Sequence, residues 1–347
     1  MTKSIRIRPT AAALGEVADP SRYFLPENPD NLLRADPSRR DSVKFLSGTV
    51  TLAGHLYRPP NAAAGERTPG VVMCGPISSV KEQTLPHYAE RLADAGYTVL
   101  TFDPRNFGES EGEPRFRYDP SAVIDDYANA VSYLLTRADI DSARVSAVGV
   151  CMGGGYAVSV GARDKRLRAV ASVAGGYNIG GTFQQFLGVE SFAALYRTIN
   201  HLAQQQYESG EIAYIPAISE AMSLDSPAAM MSPEAYTYYD RTARTEAPTW
   251  SRTMTADSMQ PYLMYNAIGH AALVAPTPLL LVHGTADASC IPEYAQQTYD
   301  SALGEKELVW IDTHNHVELY DQDPYVSEAV AHVIRWLDHH LGDETRP

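Results

Sequence analysis

The chain has 347 residues, 44% of them hydrophobic, which is ample for one large core or two smaller ones. Its formal net charge is -14 and no Lys/Arg-rich run occurs, which argues against nucleic acid and anionic membrane surfaces as partners. Three cysteines without paired spacing argue against a disulfide framework and for a reducing compartment, and the N-terminus lacks an apolar signal region; with no window approaching a membrane span, a cytoplasmic location is expected.

Residues 1–42 are rich in Pro, Asp and Arg and read as an irregular arm, with Ser21 to Leu25 and Asn31 to Leu33 as short packing patches. From Val43 the alternation predicts two strands joined by a Ser-Gly turn and ended by Pro59-Pro60. Gly70 to Gly75 is a continuous apolar run, which suits a strand buried on both faces. A helix is expected from Leu85 to Ala95, stopped by Gly96, then a strand over 97–102. Asp119 to Leu135 reads as an amphipathic helix with Asp119 as its cap and Pro120 in its first turn. Asp125 and Asp126 read as its solvated face. A strand ending at Val150, a helix from Met152 to about Ala162 and a strand over 167–174 follow. Strand and helix alternate again from Pro278: a strand, a helix over 292–303, the strand ELVWID and a last helix over 324–341. This order predicts a mostly parallel sheet with helices on both faces. Between the halves, residues 177–272 are helical and aromatic with no clear strand, and read as a cap over the carboxyl ends of the strands. The core is thus expected as 43–176 and 273–347.

The chemistry centres on Gly149-Val150-Cys151-Met152-Gly153. A nucleophile on a tight strand-to-helix turn has strained dihedrals, so the residues two before and two after it must lack side chains. Gly149 and Gly153 meet that need, with Cys151 as the nucleophile. A helix start favours the thiolate. Such a nucleophile needs a base and a third group to orient it, in the chain order nucleophile, acid, histidine. Asp287 follows one predicted strand, with Asp312 as the weaker rival. His314 and His316 follow another. Three reactive groups therefore fall on three loops at one sheet edge.

On Val80-Lys81-Glu82-Gln83, on Asp103, Arg105 and Phe107-Gly108-Glu109-Ser110, on the Gly-x-Cys-x-Gly-Gly elbow and on His316-Val317-Glu318-Leu319-Tyr320-Asp321, the chain resembles the α/β-hydrolases. More narrowly it resembles the dienelactone-hydrolase-like group that includes bacterial acyl-esterase-like proteins and fungal polyketide transferases. The resemblance implies an α/β-hydrolase fold over about 43–342 and His316 as the catalytic histidine, with His314 as a substrate-facing neighbour. It also implies an oxyanion hole from the backbone N–H groups of Met152 and Ile77, since Pro76 has none. The chain departs from the pattern at Cys74 to Ser79, where a histidine and several glycines are usual; Ile77 would narrow the pocket and Ser78 polarise it. Asp103 and Arg105 are read as bracing their loop. Cys74 and Cys290 are read as structural.

Thiolate leaves more readily than an amine, so an activated ester, lactone or thioester is the expected substrate rather than a peptide. The acyl-enzyme would pass to water or to another nucleophile. A Tyr-rich cap that includes Tyr177 suggests a sizeable, polyketide-like ligand, or tyrosines that simply pack the cap. No nucleotide cofactor and no metal are expected. The expected partner is a small-molecule acyl substrate, with a homodimer as the assembly. Two rivals stay open: a cofactor-free lyase, cyclase or isomerase with His316 as base, and a non-enzymatic small-molecule receptor.

Overall fold

The computed structural model describes residues 31–342 apart from 64, 221, 222, 225 and 226. The patch from Ser21 to Leu25 lies outside the described residues. Leu33 N–H donates to the Asp321 carbonyl at 2.7 Å, and Leu32 bridges Gln322, so this end of the arm is fixed to the segment after the histidine loop.

Strand β1 (Arg40–Ser47) pairs antiparallel with β2 (Val50–Tyr57), and Gly48 takes the left-handed turn position at φ 61°. β1 begins three residues before the alternation predicts. Arg40, Asp41 and Ser42 are polar, but each pairs with β2 through the backbone, which side-chain pattern does not report. Next come β3 (Thr68–Cys74), α1 (Leu85–Asp94), β4 (Thr98–Phe102), α2 (Pro120–Leu135), β5 (Ile140–Val150), α3 (Met152–Arg163) and β6 (Val170–Val173). Asp119 caps α2 by accepting the Ser121 N–H at 2.8 Å.

The segment that follows is the one expected from sequence to form a cap, and it is called the cap below. It opens with α4 (Ile179–Ser209), which breaks at Gly188, where φ is 74° and ψ 164°. It then adds β7 (Tyr214–Pro216), β8 (Ile218–Ser219), β9 (Met230–Met231), α5 (Pro233–Thr245), β10 (Thr253–Thr255), α6 (Met259–Leu263) and α7 (Ile268–Ala271). The expectation of a strand-free insertion needs correcting: β7 pairs with β10, and β8 with β9. Ladders of two or three residues are too short to carry a period-2 signal.

The core resumes with β11 (Leu279–Gly284), α8 (Pro292–Ser301), β12 (Lys306–Ile311), α9 (Glu318–Asp321) and α10 (Tyr325–Leu341). The eight core strands lie in the order β1-β2-β4-β3-β5-β6-β11-β12, parallel from β4 onward. β5 is central, which is why Val145, Ala147, Val148 and Val150 are all fully buried. Among the described residues no helix is long and apolar enough to cross a membrane.

Asp126 is not on a solvated face. It is fully buried and accepts from the Arg105 backbone N–H at 2.8 Å, from the Arg105 guanidinium at 2.6 Å and from Ser47 Oγ at 2.6 Å. Asp126 lies three residues after Val123 and four before Ala130, both buried, so it falls on the inward stripe of α2, where Arg105 supplies its partner. Asp125, one residue earlier, is exposed as expected.

Candidate active site

At the end of β5 the chain turns sharply into α3, and Cys151 sits at the turn with φ 58° and ψ -124°. That conformation is costly for a residue with a Cβ and persists only where the surroundings enforce it. The glycines show how. A Cβ at Gly149 would lie 1.9 Å from the Gly153 carbonyl oxygen, and one at Gly153 would lie 1.9 Å from that of Cys74. The Gly153 N–H donates to the Gly75 carbonyl at 2.9 Å, tying the elbow to the loop after β3.

Two further loops meet Cys151. Asp287 lies beyond β11, and its Oδ1 accepts the backbone N–H groups of Ser289 (2.9 Å) and Cys290 (2.7 Å). That leaves Oδ2 aimed at His316 Nδ1, 2.6 Å away. The Cys151 sulfur, the Cys290 sulfur and a His316 ring nitrogen lie within 4.8 Å of one another. Asp312 lies apart from them and pairs with Thr285.

Burial would raise the Cys151 thiol pKa, yet it lies well below the ordinary value, because the Cys290 thiol and the His316 ring beside it favour the thiolate. Burial would lower that of His316, but the Asp287 carboxylate and the Cys151 sulfur hold it well above its usual value. Both shifts favour the charged forms, thiolate on Cys151 and imidazolium on His316, in a nearly closed site; Cys151 is 6% exposed.

Among the described residues neither the Met152 nor the Ile77 N–H has a hydrogen-bond partner. Met152 is the first residue of α3, where an amide has no partner within the helix. Ile77 is positioned from the cap, since Tyr239 Oη on α5 donates to its carbonyl at 3.2 Å. Ser78 is buried at φ 56° and its hydroxyl has no partner. The loop is clamped from behind by Lys81, whose buried ammonium reaches Asp103 (2.9 Å), Glu82 (2.8 Å) and Glu109 (2.7 Å).

Two residues expected at a ligand make the following contacts. The Tyr177 hydroxyl bonds Ser172 Oγ at 2.7 Å inside the core. His314 is half exposed and faces Glu318 (3.2 Å) and Tyr325 (3.1 Å). Of the cap tyrosines, Tyr238 and Tyr239 are fully buried and Tyr265 bonds Ser159, while Tyr214 is exposed.

Three residues at the site escape sequence reasoning. Cys290 Sγ is 4.0 Å from His316 Nε2 and Tyr320 Oη is 3.0 Å from the same nitrogen. Tyr320 belongs to the quoted His316 motif, one helical turn on, a spacing that could have marked it. Glu234, in the first turn of α5, is fully buried near Asp287 and His316, which pushes its carboxyl up to about 7, chiefly through burial. In sequence it is an ordinary acidic residue after a Ser cap.

The family described as "Serine aminopeptidase, S33" (Hydrolase_4) matches residues 81–323. The chain belongs to this family. Its fold is accordingly that of the α/β-hydrolases, although the elbow of this hydrolase carries Cys151 where the family's description speaks of serine. Protein PA2218 of Pseudomonas aeruginosa is 32% identical over 79% of this chain and 73% of its own length. The crystal structure of PA2218 superposes with a TM-score of 0.75, 25% identity and coverage of 91% and 98%. Thiohydrolase aneE of Aspergillus aculeatus is 28% identical over 79% of this chain and 85% of its own. The α/β-hydrolase GrgF of Penicillium sp. sh18 superposes with a TM-score of 0.74 at 22% identity, covering 88% and 99%.

Proposed function

We propose that this α/β-hydrolase is a cysteine-dependent acyl hydrolase or acyltransferase with Cys151 as nucleophile, His316 as general acid–base and Asp287 as its orienting carboxylate. The observation that carries the reading is the convergence of Cys151 and the 2.6 Å Asp287–His316 pair from three loops at one sheet edge. The Cys151 thiolate attacks the acyl carbon, and the oxygen that becomes negative is received by the N–H groups of Met152 and Ile77. Imidazolium Nε2–H protonates the leaving group as the tetrahedral adduct collapses to a thioester. Neutral His316 then takes a proton from water or from an acceptor nucleophile, which attacks the thioester and restores the thiolate.

An activated acyl group fits this sequence of steps, since an amide adduct would expel thiolate in preference to amine. The relatives support a thioester or polyketide-type acyl substrate: one is a thiohydrolase, and another, claH of Penicillium crustosum, is a polyketide transferase. The buried nucleophile under a Tyr-rich cap favours transfer to a bound acceptor over hydrolysis, because only 6% of Cys151 is open to solvent. The test is turnover of N-acetylcysteamine thioesters of medium-chain and aromatic acids, with products analysed for added water. Product of unchanged mass would instead support a cyclase or isomerase using His316, cleavage without incorporation of labelled water would support a lyase, and saturable binding without consumption would support a receptor.

A further inference from the structure

We propose that Cys151 Sγ, Cys290 Sγ and His316 Nε2 form a binding site for a thiophilic divalent cation of the zinc class. The three donors lie within 4.8 Å of one another, and Cys290 Sγ is 4.0 Å from His316 Nε2. Two sulfurs each about 2.3 Å from a tetrahedral ion stand about 3.8 Å apart, so the donors need close by no more than about 1 Å to share one ion. Two thiolates and an imidazole are the donor set that such an ion prefers over magnesium or calcium.

The surroundings are those of a metal ligand set. His316 has its other nitrogen bonded to Asp287 Oδ2 at 2.6 Å, which fixes the ring and presents Nε2 to the sulfurs. The Asp287 Oδ1 that anchors the loop also bonds the Cys290 backbone N–H at 2.7 Å, so the carboxylate holds two of the three donors in place. All three donor residues are buried, which excludes competing water. Three protein donors leave a fourth tetrahedral position open, and an ion on Nε2 would displace the Tyr320 hydroxyl, which lies 3.0 Å from that nitrogen. Glu305, His339 and His340 form a second candidate group at the surface, but it contains no sulfur.

Bound there, the cation would take the lone pairs of both Cys151 and His316. Metal binding and turnover would then exclude each other, and a chelator would restore turnover. That consequence rests on the proposed roles of Cys151 and His316, whereas the binding itself does not.

The experiment is a titration of the reduced full chain with cadmium(II), following the thiolate-to-metal charge-transfer absorbance. The site predicts one equivalent bound with the intensity of two thiolates, and Cys290→Ser with the intensity of one and affinity lower by at least about a hundredfold. The exposed histidine group cannot give this band. Absorbance for one thiolate or none in the unmodified chain would overturn the proposal, and so would unchanged affinity in Cys290→Ser. The intensity in the unmodified chain counts sulfurs without any variant having to fold. Turnover assayed in parallel on Cys151→Ala, which leaves no nucleophile at the elbow, separates the two readings: full activity there would sink the catalytic one and leave the metal result standing.

Discussion

Glu234 on the cap is bonded to Ser289 on the acid loop: Ser289 Oγ donates to Glu234 Oε1 at 3.1 Å, two residues beyond Asp287. The other oxygen, Oε2, is buried without a partner. The cap thus contributes a carboxyl group to the space shared by Asp287 and His316.

How protonation of Glu234 bears on stability follows from linkage. Burial raises the Glu234 pKa from 4.5 to about 7, so the folded state holds this proton more tightly than the unfolded chain. Its contribution is fully present below about pH 4.5 and is lost as pH rises through about 7, a swing of about 3 kcal/mol. Glu234→Gln should match the parent near the acid end and exceed its unfolding free energy by about 3 kcal/mol near pH 8. Urea denaturation of both chains across that range checks it; parallel curves would count against the assignment.

The elbow predicts a second outcome. Gly153→Ala would place a methyl group 1.9 Å from the Cys74 carbonyl, and backbone cannot yield that distance without moving Cys151 or the loop after β3. Turnover should fall about a hundredfold or more through misplacement of the nucleophile. Gly210→Ala offers a control, since nothing lies within 4 Å of its Cβ direction, although its φ of 71° adds local strain. Thioester turnover of the two variants, compared by kcat, decides the matter.

Behind the oxyanion loop, Lys81→Met should cost about 3–5 kcal/mol, because it leaves the fully buried Asp103 carboxylate without its cation. Asp103 also accepts the Lys81 and Glu109 N–H groups, so part of its bonding survives. The double variant Lys81→Met/Asp103→Asn should recover part of the loss. Thermal unfolding of the single and double variants measures the coupling, and additive losses would contradict it.

Tyr320→Phe removes a hydroxyl from His316 Nε2 without touching the Asp287 bond. A single hydrogen bond to the base predicts about a two- to tenfold fall in kcat, with KM little changed. Steady-state kinetics on one thioester tests this.

The elbow could be read from sequence because its constraint is local: Gly149 and Gly153 are forced by atoms within four residues or one strand away. Asp287 and His316 could be read because each directly follows a strand of the same parallel sheet, and parallel strands put their carboxyl ends at one edge. Glu234 and the Cys290 sulfur could not, since their positions depend on where a cap helix docks and on which way a side chain turns beyond the acid loop. Asp126 misled for a related reason. A carboxylate on the inward stripe of a helix is accommodated when Arg105, twenty-one residues earlier, pairs with it. The β7–β10 and β8–β9 pairs are set by tertiary packing of segments too short to show a period.

The central claim is that Cys151 carries the acyl group. Intact-protein mass spectrometry after mixing with an acyl thioester, quenched in acid, tests it most directly. The account predicts one acyl mass on the parent chain, located at Cys151 by digestion, and none on Cys151→Ala. An adduct of equal stoichiometry on Cys151→Ala, or full turnover by that variant, would contradict it.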